Sequence, residues 1–325
     1  MTTAREPLPV EELEKYYTTL SNWGRWGKDD RRGTVNLITP EVRLAGVQSV
    51  RTGQAFSLAR DLSPADPDPL HSGLSGIELT GHVGEVERDL GHKTRWDACG
   101  ETIRIDPHGG NAHLDGFAHY SWEERNYNGF PAADNTAEQG AAHLSVADAA
   151  EGFVTRGVLL DIAGLFGVDH VERGYAIRPE DLLAAEKRQR VTVRAGDALL
   201  IHTGNAAAIL ADGPLYRGDS RGPLDGVQTG LDASCLPFLR ERDVAVMGAD
   251  GTHDVQPPVY DDFVYARPIH TVCLVTLGLW LLDNLHLTDL AAACEREQRW
   301  EFLFTAAPWR FVGSTSAPMN PVAVL

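Results

Sequence analysis

Three short apolar runs punctuate the chain from about residue 154 onward: Val158-Leu159-Leu160-Asp161-Ile162, Ala198-Leu199-Leu200-Ile201 and Val244-Ala245-Val246-Met247. Helical signals separate them, such as the Pro179-Glu180-Asp181 opening, where a first-turn proline is followed by two acids. Runs of this length suit buried strands, and their alternation with helices predicts an α/β layer arrangement. A length of 325 residues fits one large domain or two closely packed ones. An apolar helix is expected from about 268 to 281, and a short helix after Thr39-Pro40-Glu41. Residues 61–76, rich in Pro, Asp, Ser and Gly, read as loop.

Several function classes are disfavoured. Lys and Arg total 29 against 46 Asp and Glu, a net charge of −17, so the surface field repels phosphate and nucleic acid is not an expected partner. The longest apolar stretches, such as Val272 to Leu282, fall well short of the roughly 20 residues needed to cross a bilayer. The N-terminal segment has no apolar core of a secretory signal, and a cytoplasmic protein without membrane contact is expected. Neither G-x-G-x-x-G after a strand nor G-x-x-x-x-G-K-[ST] occurs, so no nucleotide cofactor is indicated. Cys99, Cys235, Cys273 and Cys294 share no short spacing and read as buried, reduced thiols.

The densest polar cluster runs from Asp106 to His119 and holds three histidines and two aspartates. If residues 113–115 are extended, His113 and Asp115 fall on one face, where an imidazole and a carboxylate can share a divalent cation. His119 is near enough in sequence to enter the same pocket as a proton carrier. A polar turn with backbone-bonded histidines is the plainer alternative. His270, heading an apolar stretch, and Asp283 at its far end suit either ligands or a cap and core polar group. Asp250-Gly251-Thr252-His253-Asp254 follows a predicted strand, at the kind of strand end where α/β proteins place function, and also suits an ordinary turn.

In this order the pieces resemble the cyclase family of metal-dependent hydrolases, which includes kynurenine formamidase and isatin hydrolase, in its longer-chain branch. The resemblance spans most of the chain. It is carried by Trp26-Gly27-Lys28-Asp29-Asp30, Gly33-Thr34-Val35-Asn36-Leu37, Gly110 to His119, Tyr127-Asn128-Gly129, Gly196 to Gly204, Asp283-Asn284-Leu285, Trp300-Glu301-Phe302 and Asn320-Pro321. It implies a swivelling β/β/α-type domain with a mixed sheet and flanking helices over 61–325, preceded by a lead-in over 1–60 that packs on it. It further implies a homo-oligomer, dimer or tetramer, holding one or two zinc or manganese ions per subunit. His113 and Asp115 would be metal ligands, His270 and Asp283 second-site ligands, and His119 the general acid or base. Trp96, Phe117, Tyr120, Trp122 and Tyr127 would line a pocket for a small planar or cyclic substrate, although they also suit core packing.

Two departures stand out. The family signature's first metal-binding histidine falls at Gly109, with His108 one residue early, and its usual C-terminal glutamate is the shorter Asp283. Hydrolysis of a cyclic amide, lactone or aryl formamide is the expected reaction. The alternatives are a polyketide-type ring closure with dehydration, or a metal-free binding protein on the same fold.

Overall fold

The three apolar runs lie side by side as parallel strands in the computed structural model, which describes residues 6–62, 74–79, 85–96, 98–108, 112–213 and 227–325. Numbered along the chain, the main sheet contains β1 (Ala55–Ser57), β2 (His113–Asp115), β3 (Phe153–Asp161), β4 (Ala198–His202), β5 (Val246–Ala249), β6 (Trp280–Asp283), β7 (Glu301–Ala306), β8 (Ser316–Pro318) and β9 (Val322–Val324). Their order is β1-β9-β7-β3-β4-β5-β6-β2-β8. Strands β3 to β6 are mutually parallel, and every pairing outside them is antiparallel. The expected α/β class with a mixed sheet and flanking helices is what the chain adopts.

Parallel neighbours need crossovers, which here run through helices such as Pro179–Gln189, Asn205–Asp212 and Leu236–Glu241. The four parallel strands therefore end at one edge, and their last residues or immediate successors are Asp161, His202, Asp250 and Asp283. Residues of β4, β5 and β6 are buried throughout, which is why their sequences read as unbroken apolar runs rather than alternating ones. Thr39 accepts from the Val42 N–H and caps the helix Pro40–Val47, as its sequence predicts. Among the described residues no helix is long and apolar enough to cross a membrane.

Three local expectations are corrected. The apolar stretch from 268 is a short helix, Pro268–Thr271, passing into a π-helical turn, Val272–Leu277, and ends as β6 rather than as helix to 281. Gly278 stops it at φ +59, against the Tyr127 ring, where an added Cβ would come within 2.4 Å. Of the expected loop 61–76, residues 63–73 lie outside the described residues, and 74–76 open a strand, Leu74–Leu79, that pairs with Glu101–Ile105. Cross-strand pairing, with Ile77 opposite Ile103, overrides the turn-like Ser75 and Gly76. Cys99 is exposed, whereas Cys235, Cys273 and Cys294 are buried thiols.

The aromatic lead-in is tied into the same body by specific bonds. The Trp23 indole donates to the Val275 carbonyl, Asn22 to Leu277, and the Arg25 guanidinium takes both oxygens of Asp243. Thr34 donates through its hydroxyl to the Ala245 carbonyl and through its backbone N–H to that of Gly278. At the centre is Asp30, whose carboxylate accepts from Gly33 N, Asn36 Nδ2 and the Tyr127 hydroxyl. Asp30 is thus the hub joining the Trp26–Asp30 and Gly33–Leu37 motifs to the residues beneath β6. Replacing Asp30 with Ala strands these donors in a half-buried place, at about 1–3 kcal/mol for each donor left unsatisfied. Urea unfolding of Asp30→Ala should show that loss, and a midpoint equal to wild type would show that the hub carries no stability.

Candidate metal centre

Antiparallel pairing of β2 with β6 sets Asp283 opposite His113 and Leu281 opposite Asp115. Because side chains alternate along a strand, His113, Asp115 and Asp283 share one face while Leu114 is buried on the other. His270 arrives from the short helix ahead of β6, and His108 from the turn after Glu101–Ile105. These side chains converge on Asp115. His108 Nε2 and His113 Nε2 lie 3.3 and 3.5 Å from Asp115 Oδ1, and His270 Nε2 and His119 Nε2 lie 3.6 and 3.9 Å from Oδ2. His270 Nε2 is also 3.3 Å from Asp283 Oδ2.

Asp115 is buried, yet among the described residues neither of its carboxylate oxygens has a hydrogen-bond partner of good geometry. A buried anion without donors is costly unless a positive charge sits against it. Among the described residues two triplets of donors are close enough to hold such a charge: His108, His113 and Asp115, and Asp115, His270 and Asp283. Asp115 belongs to both. Imidazole nitrogens with carboxylate oxygens form a donor set that zinc and manganese both accept, so the residues present fit a divalent ion without choosing between them.

The same enclosure sets the protonation of the cluster. Burial works against the Asp115 charge, but His119, His108, His113 and His270 together hold its carboxyl well below the usual range. Burial pushes His119 down to about 4, with the other histidines adding to burial and Asp115 opposing it. Burial would also depress His108, but its contact with Asp115 leaves it above the ordinary histidine value. His270 stands well above that value despite burial, held there by Tyr120, Asp283 and Asp254.

All the expected polar site residues meet at one place: His113, Asp115, His270 and Asp283, with His119 beside them. The aromatic residues divide. Tyr120 is at the centre, its ring 4.8 Å from that of His119 and 5.2 Å from that of His270. Trp122 stacks on Tyr17 of the N-terminal helix at 4.0 Å. Phe117 and Tyr127, by contrast, are fully buried, pack on each other and, through Phe117, on Trp280, and present no ring surface to solvent. Trp96 is 62% exposed and makes no ring contact with the cluster.

Three nearby residues were not singled out as ligands from sequence. His108 stands one position before Gly109, the place of the family signature's first metal-binding histidine, and Gly109 to Asn111 lie outside the described residues. His253 Nε2 lies 3.1 Å from Asp283 Oδ1, and Asp254 bonds His270. The only sequence signal for the last two was their place at a strand end.

The Putative cyclase family matches residues 49–254, more than half of the chain. The chain belongs to this cyclase family. Membership places it among enzymes of the cyclase kind. A crystal structure of a novel cyclase is similar over 98% of this chain and 100% of its own, at 28% identity and a TM-score of 0.80. Isatin hydrolase A from Ralstonia solanacearum matches at 20% identity and a TM-score of 0.56, covering 87% of this chain and 95% of its own. Isatin hydrolase A from Labrenzia aggregata, bound to benzyl benzoate, matches at 20% and 0.55, over 86% and 96%. A search of curated proteins returned no match.

The adjoining strand ends of this cyclase-family fold carry a second polar group. Asp250 accepts from Thr203 N and Oγ1, Gly204 N and Asn205 N, which fully employs its carboxylate in joining β5 to β4. His202 Nδ1 bonds Asp161 Oδ1 at 2.8 Å. Burial opposes both charges, but the contact holds Asp161 below and His202 above their ordinary values of 3.8 and 6.5. A raised histidine stabilises fully below its unfolded value and loses this as pH rises through its folded one. A depressed aspartate stabilises above its unfolded value and loses this as pH falls through its folded one. The stability gap between wild type and Asp161→Asn should therefore be widest between about pH 4 and 6.5 and shrink towards alkaline pH. Urea unfolding across that range measures it, and a constant gap would mean that the pair is uncharged.

Proposed function

We propose that this enzyme hydrolyses a small cyclic amide, lactone or aryl formamide using divalent metal held around Asp115. What carries the reading is the Asp115 carboxylate itself, buried, without a well-formed hydrogen bond among the described residues, and flanked on each oxygen by histidine nitrogens. His108, His113 and Asp115 would hold one ion, and Asp115, His270 and Asp283 a second. When bound, such an ion polarises a carbonyl and lowers the pKa of water, so that a nucleophile is available at neutral pH. The early position of His108 in sequence is offset by its reach to Asp115, which supports a complete ligand set over a metal-free binding protein.

His119 suits the proton-transfer role. Its side chain is 27% exposed, against 3% for that of His113 and 4% for that of His270, so it is open to a substrate while still touching the cluster. Its value of about 4 leaves a ring nitrogen unprotonated at neutral pH, ready to take a proton from the attacking oxygen and return it to the leaving nitrogen or oxygen. Tyr120, between His119 and His270, would orient the acyl group, and the Tyr17–Trp122 stack would exclude water on that side. The isatin hydrolases among the structural relatives favour ring opening by water. A ring-closing dehydration is the second reading, favoured by the full-length likeness to a novel cyclase at 28% identity.

Elemental analysis of protein purified without chelator tests the metal. Asp115→Asn should empty both positions, whereas His113→Ala and Asp283→Ala should each empty one; equal metal content in all four proteins would overturn the ligand assignment. A panel of lactones and aryl formamides followed by acid release tests the reaction. His119→Gln should lower kcat about 100-fold or more while metal content stays at the wild-type level. Loss of water from a polyketone substrate with no acid released from the panel would replace hydrolysis with cyclisation.

A further inference from the structure

Asp254 does not face the shared Asp115 carboxylate, yet it holds one of the residues that does. Its Oδ2 lies 2.5 Å from His270 Nδ1, and its Oδ1 and Oδ2 also accept from the backbone N–H groups of Ile269 and His270 at 2.8 and 3.3 Å. With three donors on one buried carboxylate, Asp254 is an acceptor throughout, so Nδ1 must be the protonated nitrogen of the His270 ring. The other nitrogen, Nε2, is left to face Asp115 Oδ2 and Asp283 Oδ2. Without a proton on Nε2, the ring in that tautomer aims a lone pair at two carboxylates, an arrangement that is repulsive unless a cation, either a proton on Nε2 or a metal ion, lies between them.

The backbone that carries Asp254 is fixed independently of His270. Leu231 N–H donates to the His253 carbonyl at 2.7 Å, Gln228 Nε2 donates to the Asp254 carbonyl, and the segment passes so close to Gly230 that an added Cβ would come within 2.3 Å of Asp254. His253, immediately before it, has a left-handed φ of +55. Successive side chains in an extended strand point to opposite sides. The kink at His253 lets this one dipeptide meet the cluster twice, His253 against Asp283 and Asp254 against His270.

We infer that Asp254 is a positioning residue that fixes the ring orientation and tautomer of His270, so that Nε2 is the donor offered to a divalent cation. The inference rests on the proposed role of His270 in ion binding. A carboxylate behind a ligating imidazole has a general effect: it sets the tautomer, and its loss typically weakens metal affinity about 10–100-fold.

The experiment compares wild type with Asp254→Asn, Asp254→Glu and His270→Ala. Zinc affinity is read by competition with a chelating dye, and the His270 tautomer by nitrogen NMR of the metal-free protein at alkaline pH. The expected result is a 10–100-fold weaker affinity in Asp254→Asn, confined to the binding that His270→Ala abolishes, with His270 no longer held as the Nδ1–H tautomer. Asp254→Glu should recover part of both signals. A carboxylate that only anchored the helix start would alter melting temperature in Asp254→Asn and leave the tautomer and the affinity ratio unchanged, which would overturn the inference. Wild-type protein that binds no zinc through His270 would sink the ligand assignment instead, and the tautomer shift alone would then decide the role of Asp254.

Discussion

A buried carboxylate ringed by imidazoles organises this protein. Asp115 lies buried on a three-residue strand between β6 and β8, and among the described residues its surroundings supply imidazoles instead of backbone donors. A charge in that position has to be balanced locally, and protons or metal are the means within reach. The strand pairing that brings Asp283 opposite His113 and the helix that delivers His270 are thereby given a common purpose. The surrounding fold serves mainly to keep those chain segments at fixed separations.

Rigidity at the site has a traceable source. Behind His270 stands Asp254, behind Asp254 the close approach of Gly230, and beneath β6 the Thr34 and Asp30 bonds that pin the N-terminal lead-in. None of these touches where a substrate would bind. Each limits a rotation or a shift that would move a donor nitrogen by a fraction of an ångström, which is the tolerance that metal coordination demands. The neighbouring Asp161–His202 and Asp250–Thr203 contacts do similar work between strands and explain why polar residues cluster along the whole carboxyl edge without all being catalytic.

What the sequence discloses follows physical range. His113 and Asp115 are legible because a period of two fixes their common face once the segment is taken as a strand. His270 and Asp283 lie far from that strand in sequence, and only their likeness to a family pattern joined them to it. His108 was obscured because a turn can bring a side chain one position out of register to the same point. Asp254 was obscured because an aspartate after a strand looks the same whether it closes a turn or buttresses a histidine. The apolar stretch from 268 hid the change from helix to β6, since both are buried all round and only Gly278 marks the break.

The place of β2 in the sheet also bears on how the protein assembles. This strand precedes every parallel strand in the chain, but it can join the sheet only beside β6, the last of the four to be synthesised, and it is held on its far side by β8, later still. Donor residues more than 150 positions apart in the chain therefore meet through this one pairing of β2 with β6. Contacts of such long sequence separation carry a large loop-closure cost, which the completed sheet has to meet before the donors are in place. A divalent ion in this protein would act as a clasp between β2 and β6, fastening the antiparallel margin of the sheet to its parallel centre.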